Sequence, residues 1–407
     1  MALCFASGFF WTDSESVVNS DNKVDEDADA DTDAAGDIRK SGTQVITSNA
    51  ATMKDSSSMF SPALTQNGVP TDPQKDEILH LHVDVTTDDN YVENQTDNTI
   101  DIQIVSDLHI EMYRNQILPD ELILPRAPVL ALLGDIGLSY TEAWQDFVTR
   151  QSQRFQHVLV LAGNHEYYNV PGGQRRSILQ QFDWMRQVCA SLPNVHFLER
   201  RVVNVNNGRL IILAATLWSY IPPEAISTAE RSMNDYHVTF VADESNGYDN
   251  SNHINNNNDN NNNNEELHLH RMQASLTNRW HDMTVTWLEK QLLRWTPGTQ
   301  QPILEQRRSP PPKVLVLTHH VPDLHGTSNP RFLNSPLTVC FASDLGRFLR
   351  YPVHTWACGH THYNFDQYYM SDDGEAVDGT RLVSNQRGYP GQEKATYRNE
   401  GIVLALP

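Results

Sequence analysis

The chain has 407 residues, with 51 acidic and 30 basic side chains and a formal net charge of −21. Residues 1–100 hold 19 Asp or Glu against 5 Lys or Arg, so −14 of this charge lies in the first quarter and −7 in the rest. This acidity argues against general binding to nucleic acid or to an anionic membrane, because both require a basic surface. No stretch approaches the roughly 20 apolar residues that span a bilayer.

The N-terminal region is predicted to be a disordered acidic segment over residues 1–98, followed by one folded domain over 99–407. Runs such as "DEDADADTDAAGD" (25–37) have few apolar side chains to bury and repel themselves. The four cysteines, Cys4, Cys189, Cys340 and Cys358, are scattered and form no C-x-x-C pair. This distribution is typical of reduced thiols and predicts a cytoplasmic protein.

In the first half of the predicted domain, apolar runs alternate with helical patterns. Strands are predicted in "TIDIQIV" (99–105), "APVLALL" (127–133) and "HVLVLA" (157–162), since each is a short run rich in aliphatic residues. A helix follows the second run, with Thr141 as its N-cap, and another covers 175–192 and ends before Pro193. Two further strands are joined by Asn206-Asn207-Gly208, a strong hairpin signal.

The second half begins with a segment of a different kind. Residues 222–270 include an asparagine tract and are interpreted as a surface insertion, with its low-complexity part around 242–266. Beyond it we predict a helix over 274–295, a strand over 313–322, a helix over 339–351 and strands in "VHTWAC", "TRLVSN" and "GIVLAL". The fold class is therefore α/β, either layers around one mixed sheet or two sheets face to face with helices outside.

Polar clusters follow the apolar runs at the points where the predicted strands end. In open α/β sheets this rim is where ligands bind, and side-chain alternation directs both members of D-x-H or H-x-H to one side. Oxygen and imidazole ligands without thiolates suit Mn, Fe or Zn. The candidate ligands in these clusters outnumber the four that one tetrahedral zinc binds. They suffice for two metals that share a carboxylate. The clusters are Asp107 and His109 in "SDLH", Asp135 in "GDIG", Asn164 and His165 in "GNHE", His319 and His320 in "THH", and His360 and His362 in "GHTH".

With these motifs the sequence resembles the calcineurin-like metallophosphoesterases, whose series is D-x-H, GD, GNH[ED], a later strand-end His and GHxH. The match covers roughly residues 101–390. The resemblance implies two mixed β-sheets packed as a sandwich with flanking helices, a four-layer αββα fold. It also implies that His165 contacts the phosphate and protonates the leaving oxygen. It further implies that Asp107, His109, Asp135 and His362 hold one metal, and that Asp135, Asn164, His319 and His360 hold a second.

The resemblance predicts a metal-dependent hydrolase of phosphomonoesters or phosphodiesters, with two Mn, Fe or Zn ions as cofactors. Two cations about 3.5–4 Å apart clamp a phosphoryl group and lower the pKa of a bridging water from ~15.7 towards 7. The resulting hydroxide attacks phosphorus in line. An imidazole near neutral pH supplies the proton for the leaving oxygen.

Two alternatives to this function stay open. A non-catalytic scaffold with the same fold would usually have lost ligands, whereas every motif position is filled here. A nuclease would prefer a basic groove, whereas residues 101–407 carry a net charge of −7. Neither alternative is favoured by the motifs.

The segment "GDIGLSY" departs from two branches of the family. Typical Ser/Thr protein phosphatases have "GDxVDRG", and the phosphate-binding Arg of that pattern is absent here. Purple acid phosphatases have "GDxxY", but Leu138 stands at the tyrosine position and Tyr140 comes two residues late. We therefore expect neither a typical protein phosphatase nor a tyrosinate-bound metal.

Other residues are weaker candidates. In "SNQRGYPG", Arg387 is a candidate for phosphate binding and Tyr389 for stacking on a substrate ring, although a structural loop explains them equally well. Asn234 and Asp235 are candidates to line a cap over the site. Glu166 is expected to orient His165 or a ligand. The remaining polar candidates are His320, as a packed neighbour or support, and His268 and His270, as surface residues.

Overall fold

The structure is a computed structural model. It describes residues 78–84, 99–113, 122–170, 172–242, 268–296, 312–370, 379–390 and 396–406, all of which belong to one compact unit. The cores of the predicted acidic segment and of the asparagine tract lie outside these residues. Within the described ranges, no helix is both long and apolar enough to cross a membrane.

A five-stranded sheet carries the first three predicted strands. Its order is β14-β2-β3-β4-β5, with β14 antiparallel to β2 and the other neighbours parallel. Because parallel strands deliver their carboxyl ends to the same edge, the segments after β2, β3 and β4 meet there. The strands are β2 (Ile100–Val105), β3 (Val129–Leu133), β4 (His157–Leu161), β5 (Val195–Phe197) and β14 (Ile402–Leu406).

A seven-stranded sheet, in the order β1-β6-β7-β10-β11-β13-β12, contains the remaining long strands. Its central strands β7, β10, β11 and β13 are parallel, so β10 and β11 also end at a common edge. The predicted hairpin joins β6 to β7, and Asn206, Asn207 and Gly208 all have positive φ. The strands are β1 (Leu79–Leu81), β6 (Arg201–Val205), β7 (Leu210–Ala215), β10 (Lys313–Thr318), β11 (Val353–Cys358), β12 (Asp366–Tyr369) and β13 (Thr380–Ser384).

The two sheets pack face to face, and helices cover their outer faces. Alternation along the strands produces this layering, because alternate residues face opposite sides. Leu133 of β3 and Leu315 of β10 belong to the apolar cluster between the sheets, whereas Leu132 packs on the helical side. The four-layer αββα arrangement is therefore confirmed. The helices are α1 (Glu142–Ser152), α2 (Ile178–Ala190), α3 (Pro223–Ser232), α4 (Asp235–Val238) and α5 (Ala274–Trp295).

Helices α1 and α5 lie on opposite outer faces of the sandwich. Thr141 caps α1 as predicted, because its hydroxyl accepts the N–H of Trp144 at 3.3 Å. Trp144 is fully buried on the outer face of the five-stranded sheet. On the opposite side of the sandwich, Leu288 and Trp295 of α5 cover the seven-stranded sheet.

The predicted helix over 339–351 is wrong. Two 3-10 turns, Thr338–Cys340 and Gly346–Phe348, occupy this segment. Ala342 forms a β-bridge with Val321, and the N–H of Ser343 donates to the carbonyl of Val321 at 3.0 Å. These backbone hydrogen bonds to the chain after β10 replace the hydrogen bonds of a continuous helix.

Elements also occur where none was predicted. The predicted surface insertion over 222–270 contains α3, α4 and most of a two-stranded ribbon, which pairs β8 (Phe240–Ala242) with β9 (Leu269–Arg271). β1 lies within the predicted acidic segment and pairs with β6. Three-residue strands are too short to give a period-2 signal, so pairing with neighbouring strands defines them.

Candidate metal centre

The predicted ligands lie just beyond the strand ends and have an unusual backbone conformation. Nine described non-glycine residues have positive φ, and five of them are predicted ligands. A left-handed conformation costs non-glycine residues about 1–3 kcal/mol each, and such strain concentrates at functional sites. The alternation argument is therefore incomplete, because these side chains are directed by turns that follow the strands. The five are Asp107 (φ 55°), His109 (49°), Asp135 (53°), His360 (71°) and His362 (50°).

The structure brings one predicted ligand set together as cluster A, which comprises Asp107, His109, Asp135 and His362. The Nε2 atoms of His109 and His362 are 2.9 Å apart, and His362 Nε2 is 3.2 Å from Asp107 Oδ1. Asp135 Oδ2 lies 3.8 Å from His109 Nε2. The opposite nitrogen of His109, Nδ1, faces Glu111 Oε1 at 3.2 Å. With Nδ1–H donated to that carboxylate, the lone pair of His109 Nε2 is directed into the cluster.

The second predicted set forms cluster B, which comprises Asp135, Asn164, His319 and His360. His319 Nε2 is its centre, at 3.1 Å from Asn164 Oδ1, 3.2 Å from His360 Nδ1 and 3.4 Å from Asp135 Oδ1. Asp135 therefore presents one oxygen to each cluster. All four residues of cluster B are buried.

Hydrogen bonds on the far side of both cluster B imidazoles fix their tautomers. His319 Nδ1 donates to the carbonyl of Leu133 at 2.8 Å, and His360 Nε2 donates to that of Cys340 at 3.3 Å. The nitrogens that face each other therefore have lone pairs when the rings are neutral. Two lone pairs, an amide oxygen and a carboxylate repel one another unless a cation lies among them. The donors thus fit a metal ion, and backbone partners on the outer nitrogens are typical of metal-binding histidines.

The pKa values of three side chains point to a need for positive charge at the site, whereas burial and neighbouring histidines lower those of His109 and His360. Although burial opposes protonation, the Asp135 carboxylate raises the pKa of His319 to about 9. Burial likewise opposes protonation of His165, yet Asp135 and Glu111 raise its pKa to about 9. Burial works against ionisation of Asp107, but its contact with His362 lowers its pKa to about 2. The pocket is thus negative enough to retain protons when no cation is bound.

Glu166 positions the loop that carries the ligand candidate Asp135, and it does so through backbone N–H groups. Its Oε2 accepts the N–H groups of Asp135 (2.9 Å) and Gly163 (2.7 Å), and its Oε1 accepts those of Ile136 (2.8 Å) and Gly137 (3.3 Å). Glu166 is 1% exposed. It thereby fastens the strand ends of β3 and β4 to each other.

His165 lies beside both clusters. Its Nδ1 is 2.9 Å from Glu111 Oε1, and its Nε2 lies 3.3 Å from the hydroxyl of Tyr389 and 4.0 Å from Asp135 Oδ2. The ring of Tyr389 also packs on the ring of His109, with centroids 4.5 Å apart. Glu111 was not identified from the sequence, although it extends the first motif to D-x-H-x-E at the same two-residue spacing.

Tyr168 and Asp235 set the orientation of the Asn164 amide by accepting hydrogen bonds from its nitrogen. Its Nδ2 donates to Asp235 Oδ1 and to the hydroxyl of Tyr168, both at 2.9 Å, and that hydroxyl donates to Asp235 at 2.8 Å. A carboxylate only accepts hydrogen bonds, so the amide nitrogen must face Asp235 and Oδ1 must face cluster B. Asp235, predicted to line a cap, is buried against a ligand candidate.

The remaining candidates differ in their surroundings. The guanidinium carbon of Arg387 lies 5.1 Å from the ring centroid of Tyr113, and phosphate binding by Arg387 stays a prediction. Asn234 is exposed, and its carbonyl accepts the N–H of His237. His320 stacks on His360 with centroids 3.9 Å apart. His268 and His270 are exposed, as expected.

Tyr140 is engaged away from the clusters. Its ring packs against Trp184 with centroids 4.6 Å apart, and the guanidinium carbon of Arg176 lies 3.6 Å from its centroid. The absence of a tyrosinate-bound metal stays a prediction.

Comparison with known proteins gives the family. The sequence matches the calcineurin-like phosphoesterases over residues 100–364. It is 26% identical over 266 residues to an uncharacterised protein of Acanthamoeba polyphaga mimivirus, covering 64% of this chain and 78% of that relative. A phosphopantetheinyl hydrolase from Mycobacterium tuberculosis has 17% identity and a TM-score of 0.46, over 72% of this chain and 93% of that one. A dimetal phosphatase from Danio rerio has 11% identity and a TM-score of 0.36, over 71% and 88%.

The family match spans more than half of the chain and contains all five motifs. The chain therefore belongs to the calcineurin-like phosphoesterase family. Its Asp and His side chains form groups that can hold metal, in agreement with that membership.

Proposed function

We propose that this protein hydrolyses phosphomonoesters or phosphodiesters, with one divalent or trivalent cation in cluster A and one in cluster B. The observation that carries the proposal is the position of Asp135, whose two carboxylate oxygens face different clusters of otherwise separate donors. When bound, two such cations supply Lewis-acid activation of water and neutralise charge on the phosphoryl oxygens. Mn, Fe and Zn all suit these nitrogen and oxygen donors.

The protein's own side chains divide the remaining work. Asn164 contributes a neutral donor, which limits the negative charge facing an anionic substrate. His165 directs Nε2 towards the same space as Asp135 Oδ2 and the hydroxyl of Tyr389. From this position it donates a proton to the leaving oxygen, which is the role of a general acid. Tyr389 covers His109 and His362 and contributes to one wall of the pocket.

The proposal is tested with metal-free protein reconstituted with Mn²⁺. We expect turnover of p-nitrophenyl phosphate or of its bis-ester and none of nucleic acid. His165→Ala should reduce turnover of phenyl phosphate, whose leaving group needs a proton, by about 10²–10⁴-fold, the usual contribution of a general acid, while metal content persists. Asp135→Asn should release both cations. No turnover of either ester by metal-loaded protein would favour a non-catalytic scaffold, and cleavage of DNA alone would favour a nuclease.

A further inference from the structure

We propose that Glu111 is a positioning residue for His165: its carboxylate holds the imidazole with Nδ1–H on Glu111 and Nε2 towards the substrate. The inference deepens the proposed function and rests on it. Glu111 lies outside the motifs that identify the family, and it reaches the site from the 3-10 turn Ile110–Tyr113.

A single oxygen of Glu111 contacts two histidines. Oε1 is 2.9 Å from His165 Nδ1 and 3.2 Å from His109 Nδ1. The Glu111 side chain is 12% exposed, whereas that of His109 is fully buried. A buried carboxylate acceptor forms stronger hydrogen bonds with N–H donors than a neutral acceptor does. Glu111 is thus able to set the orientation of both rings.

The backbone around Glu111 is well anchored. The N–H of Ile110 donates to the carbonyl of Ile136 at 2.8 Å, and the N–H of Met112 donates to that of His109 at 2.9 Å. Gly137 leaves room for the side chain, because a Cβ there would lie 2.5 Å from Ile110 Cγ1 and 3.2 Å from Glu111 Oε2. The carboxylate therefore has a fixed place between the loops that follow β2 and β3.

The arrangement determines which nitrogen of His165 delivers the proton. Because Glu111 Oε1 occupies the Nδ1 side of the ring, Nε2 is the nitrogen that faces Asp135 and the hydroxyl of Tyr389, and it is the one that can pass a proton to the leaving oxygen. As the P–O bond of the ester breaks, its electron pair takes the Nε2 proton and the alcohol leaves. The attacking water forms the new P–O bond and releases its proton to solvent. His165 is left neutral, with Nδ1–H still on Glu111.

The contact of Glu111 with His109 complicates a simple activity measurement, because a variant can also weaken the metal site. The leaving group separates the two effects. Phenol has a pKa of about 10 and needs a proton as it leaves, whereas a nitro group stabilises p-nitrophenolate as a free anion. Loss of proton delivery therefore lowers turnover of phenyl phosphate more than that of p-nitrophenyl phosphate, and loss of metal lowers both equally.

The experiment compares kcat for these two esters in full-length protein at saturating Mn²⁺, with metal content measured in every sample. We expect the phenyl to p-nitrophenyl ratio to fall about 100-fold in Glu111→Ala, a size typical of general-acid loss. Glu111→Gln keeps an acceptor oxygen without the charge, so it should recover part of this loss. Glu142→Gln, a charge removal at an exposed position of α1, should leave the ratio unchanged.

Two further outcomes bear on the inference. In a His165→Ala background, Glu111→Gln should leave the ratio where His165→Ala alone puts it, because the two residues act as a unit. An unchanged ratio in both Glu111 variants, with metal retained and wild-type turnover of both esters, would overturn the positioning role. Wild-type protein that hydrolyses neither ester would instead contradict the proposed function.

Discussion

Replacement of Glu166 by Gln should destabilise the protein more than most single substitutions of similar size. The carboxylate accepts four backbone N–H groups at distances from 2.7 to 3.3 Å. An amide has one oxygen, which can serve two of these donors. Its NH₂ group would then point hydrogens at the other two, and both would lose their acceptor in a buried place.

The size of the destabilisation follows from the two backbone N–H groups that lose their acceptor. Each buried N–H without an acceptor costs about 1–3 kcal/mol. Two of them lower the free energy of unfolding by about 2–6 kcal/mol. The loss is at the lower end of this range if the NH₂ group of the new Gln faces Ile136 and Gly137, because the contact to Gly137 is already long at 3.3 Å. By contrast, a surface substitution usually changes stability by less than about 0.5 kcal/mol.

The assay is urea unfolding of chelator-treated protein, followed by tryptophan fluorescence at pH 8.5. At this pH the wild-type carboxylate is ionised, because burial and Asp135 raise the pKa of Glu166 only to about 7. Glu142→Gln is the matched control, since Glu142 is exposed at the start of α1. A loss below about 0.5 kcal/mol in Glu166→Gln would refute the claim that this carboxylate fastens the Asp135 loop.

Three further substitutions test other parts of the site and the fold. In Gly163→Ala the new Cβ would overlap Asp135 and His319, so atomic absorption should find less bound metal than in the wild type. In the control Gly346→Ala the new Cβ would meet only Asp344 Oδ1, at an ordinary contact distance of 3.9 Å, so the metal content should equal that of the wild type. Asp235→Ala removes the acceptor that orients the Asn164 amide, so titration calorimetry should find the affinity for one of the two proposed cations lowered about 10–100-fold. The control is Asn234→Ala, at the exposed neighbouring position; equal cation affinity in the two variants would contradict the role of Asp235. Burial and neighbouring basic groups lower the pKa of His196 to about 4 in the folded protein. Its contribution to the free energy of unfolding is therefore present above about pH 6.5, and it is lost as the pH falls and the imidazole takes up a proton more readily in the unfolded chain. In urea titrations, His196→Asn should reduce the drop in the free energy of unfolding between pH 7.5 and pH 5 by about 2 kcal/mol.

The long strands and the central helices could be predicted because their patterns are local. β3 and β4 are continuous apolar runs, and Thr141 and the Asn206-Asn207-Gly208 turn carry their own signals. Segments whose structure depends on distant partners could not be predicted in the same way. The 339–351 segment has an apolar helical pattern, yet its backbone at Phe341 and Ser343 forms hydrogen bonds with the distant Val321.

The same distinction between local patterns and distant contacts applies to the residues of the candidate site. The motifs made Asp107, Asn164 and His360 ligand candidates because each follows an apolar strand directly, and the structure brings them into the two clusters. Glu111 and Asp235 act through contacts with residues 54 and 71 positions away, and no local pattern encodes such a pairing. Their types gave a weak signal, since a buried histidine or asparagine ligand usually has a carboxylate or carbonyl behind it.

Each cluster takes its donors from both sheets of the sandwich. In cluster B, Asn164 follows β4 of the five-stranded sheet and His319 follows β10 of the seven-stranded one. Neither sheet alone holds a complete set of donors. A cation bound in cluster B would therefore need both sheets to be packed together first. Once bound, it would link the two sheets to each other, so that metal binding would follow folding and stabilise its product.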